Sequence, residues 1–531
     1  MKKILYIITI SSLITFSCND EFLEEYPQSQ LSEDLFWQSK DDAFQGLVAV
    51  YARLGERGSA FDEWTTYLWG ANTMTDVAMG GGWASSGFHR NDIFQNGSVN
   101  PASPTIERYW KYLYGSIRVA NTFLKNIERP EMDETLRREY AAEARFLRAF
   151  WYTILNDNWG GVPITTEPLG IADLKMPRSS DEDVKEFIIS DLDAAAIDLP
   201  ASAAEPGRIT RGAAHALKAR FLLNNEMYSE AAIAAKAVMD SGTYDLFQDA
   251  NGQGYFSVGQ QANEDNVEVI FSIKFTNPDL GNYYQTAIMP PGHVHQGWGA
   301  YMVSQAFVDA FECTDGLTID QSPLFDPDNP YLNRDPRLDM AVLKEGDLLA
   351  GSPLAGGTVN DAVNTGLYPN KAFNHLHAGW GLYDMDIVLI RYAEVLLTYA
   401  EAKIESGSID QSVLDAINHV RARAYNTVFT DVDNYPDVTT LNQSELREII
   451  RRERNVELAN EHNDTRLQDI KRWRISEDVL NGTMRGAKDA SGEYRTMMQL
   501  NFDSSKHYLW PIPQSEIDLI GSDIMTQNPS Y

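Results

Sequence analysis

Cysteine is nearly absent. The 531 residues carry two, Cys18 and Cys313. One disulfide is the most that could form, and a chain of this length buries enough core to hold together without a staple. Basic residues are short as well. Forty-four Lys and Arg stand against 76 Asp and Glu, for a formal charge of −32. Such a surface repels phosphate backbones and anionic headgroups, so nucleic acid is a poor ligand class and neutral ligands remain open. Long apolar runs are missing. The longest, from Ile4 to Phe16, falls short of the roughly 20 residues that span a bilayer. No HExxH, GxSxG, Walker or dinucleotide-binding motif occurs, which leaves metalloprotease, serine-hydrolase and nucleotide chemistry without support. Paired carboxylates for glycoside hydrolysis are not excluded, because an acidic chain offers many pairs.

What is present starts at the N-terminus. Lys2 and Lys3 precede the Ile4–Phe16 run, and Ser17 stands before Cys18. This is the order of a bacterial lipoprotein signal: residues 1–17 removed, then lipid on the Cys18 sulfur. Thr15 stands where the usual pattern has Leu. Asn19, Asp20 and Glu21 follow the lipidation site directly. The expected product is a soluble body, residues 18–531, tethered by its first residue.

Helical periodicity dominates that body. Leu147, Phe150, Trp151, Ile154 and Leu155 recur at helical spacing, and Gly160, Gly161 and Pro163 end the run. Similar patterns predict helices near 40–54, 105–127, 181–197, 210–224, 229–240, 388–406, 411–424 and 444–461. From Ile209 to Gly242 is 34 residues, the length of a tetratricopeptide unit. Ala219 and Ala231 are small enough for its helices to cross closely, and Tyr228 opens the second helix. The segment from Val395 to Ala424 has the same plan. The predicted fold is mostly α: a tetratricopeptide-like frame of helical hairpins with large irregular inserts and a few short strands, one from Val267 to Phe275. Residues 18–240 form the N-terminal helical part. Residues 241–531 form the loop-rich, ligand-facing insert and the C-terminal helical part.

The inserts carry the candidate chemistry. His293 to Tyr301 reads HVHQGWGAY and His375 to Tyr383 reads HLHAGWGLY. Four imidazoles could form a split metal site, but H-x-H is short and has no acidic or thiol companion at fixed spacing. A transition metal is therefore disfavoured. The DPDNP segment, Asp326 to Pro330, reads as an Asx/Pro turn and leaves a structural calcium open; no other cofactor is expected. Cys313 reads as a buried thiol near a helix end. Trp64, Trp69, Trp83, Phe88, Trp298, Tyr301, Trp380 and Tyr383 all lie in the irregular stretches. Trp and Tyr offer flat faces to the C–H surfaces of sugar rings. Trp298, Tyr301, Trp380, Tyr383, Trp83 and Trp69 are the candidate platforms. Asp76, Asn72, Arg90, His295 and His377 are the candidate hydrogen-bonding partners. The competing reading is that these aromatics pin long loops to the frame. The two histidine-rich loops could also converge on one face.

Several segments together resemble one family. They are Cys18 followed by NDEFLEEYP, then LFWQSKDDAFQGLVAVYARL, AEARFLRAFWYTILNDNWGGVPITTEPL, ITRGAAHALKARFLL and NRDPRLDMAV. IRYAEVLLTYAEA, INHVRARA, ERNVELANEHNDTRLQDIKRW and the tail YLWPIPQSEI…QNPSY complete the set. In order and number they are similar to the SusD/RagB-like nutrient-binding lipoproteins of Bacteroidetes. Ala459-Asn460-Glu461-His462 departs from that pattern, which commonly has an F-E-G-like segment here. The resemblance implies a lipid-anchored, surface-exposed outer-membrane protein that binds oligosaccharide or polysaccharide and is not an enzyme. It further implies a role as the lid of a SusC-like TonB-dependent transporter. A glycoside hydrolase and a peptide-binding tetratricopeptide scaffold are the alternatives. The glycan itself is not legible. Arg391 and Glu394 are expected to pair with each other on their helix, with a place at the pocket floor as the other reading.

Overall fold

The computed structural model describes residues 36–55, 67–68, 70–81, 91–170, 175–276, 280–290, 297–349, 351–354, 364–371, 373 and 383–531. Ten helices build the frame: α1 (Lys40–Tyr51), α2 (Pro104–Asn126), α3 (Glu134–Trp159), α4 (Asp181–Asp198), α5 (Arg211–Asn224), α6 (Tyr228–Asp240), α7 (Tyr392–Glu405), α8 (Gln411–Ala424), α9 (Gln443–Leu458) and α10 (Thr465–Arg472).

Their ends are set by local chemistry. Ser39 and Ser180 form capping boxes with Asp42 and Asp183 at the starts of α1 and α4. Asp133, Thr210, Asp410 and Asn442 cap α3, α5, α8 and α9 through side-chain oxygens. At the far end of α3, Gly160 takes φ +72° and stops the helix.

The helices stack in chain order, α2 on α3, α3 on α4, α4 on α5, α5 on α6, α6 on α7 and α7 on α8 and α9. The two hairpins expected from periodicity form as α5/α6 and α7/α8. Ala219 and Ala231 are fully buried between neighbours, so small side chains do allow the close crossing. Leu147, Phe150, Trp151, Ile154 and Leu155 are all buried. Helix α3 is in fact enclosed on most sides, with Ala144, Ala149 and Tyr152 buried too.

Two boundaries differ from expectation. Residues 388–391 belong to a strand, β6 (Ile387–Arg391), which pairs antiparallel with β2 (Val269–Ile273). The run Ile387-Val388-Leu389-Ile390 is apolar and β-branched at every position but Leu389, and α7 starts after it. Helix α9 stops at Leu458 rather than 461, because Asn460 adopts φ +61°.

A second core sits beside the helical one. It gathers Val77, Met79, Tyr284, Tyr301, Val303, Phe307, Leu338, Tyr368 and Val456. Short ladders frame it: β1 (Ala78–Gly80) with β3 (Tyr301–Val303), and β4 (Val342–Lys344) with β5 (Leu367–Pro369), both antiparallel. Cys313 is fully buried just past the short helix Gln305–Ala310 and is a free thiol.

Candidate functional site

The second core positions an aromatic pair. Tyr283 and Trp298 stack with ring centroids 6.0 Å apart and planes 23° from parallel. Both are half-buried. Backbone bonds fix Trp298 from both sides: its own N–H donates to the Thr286 carbonyl at 3.0 Å, and the next, Gly299, donates to Met289 at 2.9 Å. The glycine before it is required by space, since a Cβ on Gly297 would meet the Met289 carbonyl at 2.0 Å.

Three segments distant in sequence meet here. Gly80 pairs with Tyr301, and Gly81 N–H donates to the Ala300 carbonyl at 3.1 Å. Gly81 lies so close that a Cβ on it would stand 1.7 Å from the Gly299 carbonyl. On the other side, Asn282 and Tyr383 exchange backbone hydrogen bonds, each 2.8 Å. Asn282 also donates from Nδ2 to the Met385 carbonyl at 3.0 Å. The Gly297–Tyr301 end of the first histidine-rich segment and the Tyr383 end of the second therefore share one face. The link is the Asn282–Tyr283 step, which bonds to Tyr383 and stacks on Trp298. Tyr283 was missed from sequence because it lies outside both G-W-G patterns.

The remaining predicted residues divide. Cys18, Trp64, Trp69, Trp83, Phe88, Arg90, His293, His295, His375, His377 and Trp380 lie outside the described residues. Tyr301 is 1% exposed and donates its hydroxyl to Asn460 Oδ1. Tyr383 is buried at 8% exposure. These two rings pack inward and are not exposed platforms. Asn72 is 2% exposed; its Nδ2 donates to the Glu461 carbonyl at 2.8 Å and its Oδ1 accepts the Asn460 N–H at 3.1 Å. Asp76 receives Arg466 on both oxygens, at 2.9 and 2.7 Å. The expectation that Asn72 and Asp76 hydrogen-bond a ligand is corrected: a buried amide and a buried carboxylate must be satisfied internally, and both are.

Beneath the face runs a buried ion network on the end of α9. Arg391 reaches Glu268 at 2.7 Å, Glu457 at 2.8 Å and Glu461 at 2.6 Å. Arg423 reaches Glu268 at 2.8 Å and also pairs with Glu457. Arg337 joins Asp335 at 2.7 Å, Glu453 at 2.6 Å and Glu457 at 2.9 Å. Glu394, by contrast, accepts Arg220 at 2.5 Å. The expected Arg391–Glu394 pair does not form, because Arg391 closes a strand while Glu394 sits inside the first turn of α7. Burial would push the Glu457 carboxyl up, but the fields of Arg423, Arg391, Arg337 and Lys371 outweigh it and hold it well below the carboxylate range. Burial draws the Lys371 ammonium down to about 8, against the pull of Glu461. His462, its ring 3.9 Å from that of Tyr284, is pulled down to about 4 by burial, with Glu461 opposing. It is a neutral packing group at neutral pH.

Other features compete poorly. A cavity of about 840 Å³ lies between the ends of α3, α5 and α10 and the start of α4, lined by Asp157, Arg178, Lys185, Lys471 and Arg474. Its one aromatic, Tyr508, is covered by the Arg474 guanidinium at 4.6 Å. The Asp326–Pro330 segment closes as an Asx turn, Asp326 Oδ1 accepting from the Asp328 N–H at 2.9 Å and Oδ2 from Asn329 Nδ2 at 2.8 Å. Among the described residues no three His, Cys, Asp or Glu side chains are grouped to hold a metal. No helix among them is long and apolar enough to cross a membrane.

The comparisons with known proteins follow the same outline. Residues 267–531 match the model described as the SusD family, and residues 21–223 match one described as "Starch-binding associating with outer membrane". SusD-like protein P25 of Formosa agariphila is 25% identical over 545 residues, spanning 97% of this chain and 96% of that one. A SusD-like carbohydrate binding protein from Bacteroides fragilis superposes with a TM-score of 0.81 at 26% identity, covering 91% of this chain and 99% of its own. Surface glycan-binding protein A from Bacteroides thetaiotaomicron, solved in complex with laminarihexaose, shares the fold at a TM-score of 0.69 and 21% identity, over 92% of this chain and all of that one. With its helical frame, its second core and its ordered motifs all accounted for on these terms, the chain belongs to the SusD/RagB family.

Proposed function

We propose that this chain is a cell-surface glycan-binding lipoprotein. It captures oligosaccharide on the Tyr283–Trp298 face and serves as the lid of a SusC-like TonB-dependent transporter. The carrying observation is the half-exposed aromatic stack at the meeting of three chain segments. Support comes from the starch-binding, outer-membrane description matched by residues 21–223 and from the carbohydrate-binding structural relative at 26% identity. Anchoring through lipid on Cys18 is part of this reading.

The mechanism is physical. A sugar ring lays its C–H face on the indole, and each such platform contributes about 1 kcal/mol beyond the area it covers, by analogy with aromatic pairs. A neutral ligand suits a chain of charge −32. Weak sites suffice if the transporter supplies a second face, because linked contacts multiply. Trp83 and Trp380 belong to the segments that begin after Gly81 and end at Tyr383, and they are the next candidate contacts, with His295 and His377 as hydrogen-bonding partners. No cofactor enters this reading.

The test is a glycan panel, including starch and laminarin, incubated with the chain from residue 19 onward. Retention on an affinity gel with no new reducing ends supports a binding protein. New reducing ends would make it a glycoside hydrolase. A detergent-solubilised membrane preparation in which the full chain co-purifies with a barrel transporter supports the lid role, and co-purification with other proteins alone would argue for a peptide-binding scaffold.

A further inference from the structure

Three successive residues after α9 each grip a different part of the candidate face. Asn460 takes the Tyr301 hydroxyl on Oδ1, and Tyr301 stands three positions after Trp298. The Asn460 N–H donates to Asn72 Oδ1 at 3.1 Å, on the segment that leads into β1. Glu461 receives Lys371 and Arg391, which lie before and after Tyr383 in the chain. Its carbonyl accepts Asn72 Nδ2 at 2.8 Å. His462 packs its ring 3.9 Å from Tyr284, the neighbour of Tyr283. All three residues are buried, at 1%, 9% and 3% exposure.

We propose that Asn460, Glu461 and His462 form one positioning hub that sets the mutual placement of residues 72–81, 283–290, 297–303, 371 and 383–391. This rests on reading the Tyr283–Trp298 face as the glycan site. Packed, hydrogen-bonded groups have few alternative arrangements. Asn460 cannot release Tyr301 without leaving a buried acceptor unsatisfied, and it cannot shift without moving the Asn72 and Glu461 bonds beside it. The left-handed φ of +61° at Asn460 lets successive side chains splay toward different segments. An aromatic platform assembled from separate segments binds only if those segments hold register, so the hub residues act on ligand through Tyr301, Tyr284, Lys371 and Arg391 without touching it.

Hydrogen exchange followed by mass spectrometry on the full chain tests the hub without any glycan. The variant is Tyr301→Phe, which removes one hydroxyl and keeps the ring. The hub account expects at least threefold faster exchange in 297–303 and also in 72–81 and 383–391, with α3 and α5 unchanged. Asn460→Gly tolerates the positive φ and removes the same bond, so the double variant should exchange no faster than Asn460→Gly alone. Acceleration confined to 297–303, no acceleration at all, or equal acceleration in α3 and α5 would overturn the hub. A second arm measures laminarihexaose affinity. If wild type binds it, Tyr301→Phe should weaken binding about fivefold. If wild type binds no glycan in the panel, the ligand reading fails while the exchange result still decides the hub.

Discussion

The indole of Trp298 lies over the ring of Tyr283, and Tyr283 adjoins Asn282, whose backbone is hydrogen-bonded to Tyr383. One residue step thus joins the ends of two sequence stretches that share a pattern but lie 82 positions apart. The stack is half-buried and rests on backbone hydrogen bonds. Its loss should therefore cost little stability: Tyr283→Ala is expected to lower unfolding free energy by about 1 kcal/mol and to shift Trp298 emission as the ring loses its neighbour. Urea denaturation with fluorescence detection checks both.

Glu457 carries a different weight. Arg391, Arg423 and Arg337 all converge on it. Glu457→Gln leaves three guanidinium groups short of countercharge in a buried site, and the expected loss is about 3–5 kcal/mol. The urea midpoint should fall with an unchanged slope. A midpoint within error of wild type would mean the network is not under strain of this kind.

Asp76 separates stability from binding. Its two bonds to Arg466 are internal. Asp76→Asn should destabilise the fold by about 2–4 kcal/mol and leave glycan affinity of the folded protein unchanged. Calorimetric titration below the unfolding range reads affinity, and a thermal melt reads stability.

The His462 imidazole gives a pH dependence with a definite sign. Its folded pKa is drawn from 6.5 to about 4, mainly by burial beside Tyr284. Between those values the unfolded state holds a proton that the folded state refuses. Stability is therefore complete above pH 6.5 and falls as pH drops toward 4, by about 3 kcal/mol in all. Glu457, whose folded pKa is depressed, acts in the same direction at lower pH. His462→Phe should flatten the slope between pH 6 and 4.5 by about one proton's worth, near 1.4 kcal/mol per pH unit. An unchanged slope in urea midpoints across that range would contradict the assignment.

The helical frame was legible because its signals are local. Ala213, Ala214, Ala216 and Ala219 on α5 and Ala231, Ala234 and Ala235 on α6 are all buried, and the spacing that reveals them spans one hairpin. β6 was hidden because Ile387 to Ile390 run straight into α7 with no capping side chain; Arg391 occupies the N-cap without a cap bond. At the site, two histidine-rich segments converging on one face were expected; their described ends, Gly297–Tyr301 and Tyr383, are linked through Asn282 and Tyr283, and Trp298 is on the face. Tyr301, Asn72 and Asp76 were misassigned for one reason. A polar or aromatic residue in a loop looks the same in sequence whether it points at ligand or at a buried partner. Those partners, Asn460, Glu461 and Arg466, stand 159, 389 and 390 positions away. The Glu457–Arg391 network escaped notice likewise, its members being 66 residues apart.

Glycan binding, if it uses the Tyr283–Trp298 face, depends on the Trp298 indole. Titration of the glycan that the panel selects, against wild type and Trp298→Ala at matched stability, tests it directly. Wild type should bind saturably, and removing the indole should cost roughly tenfold in affinity. Equal affinity of the two proteins for that glycan would contradict it.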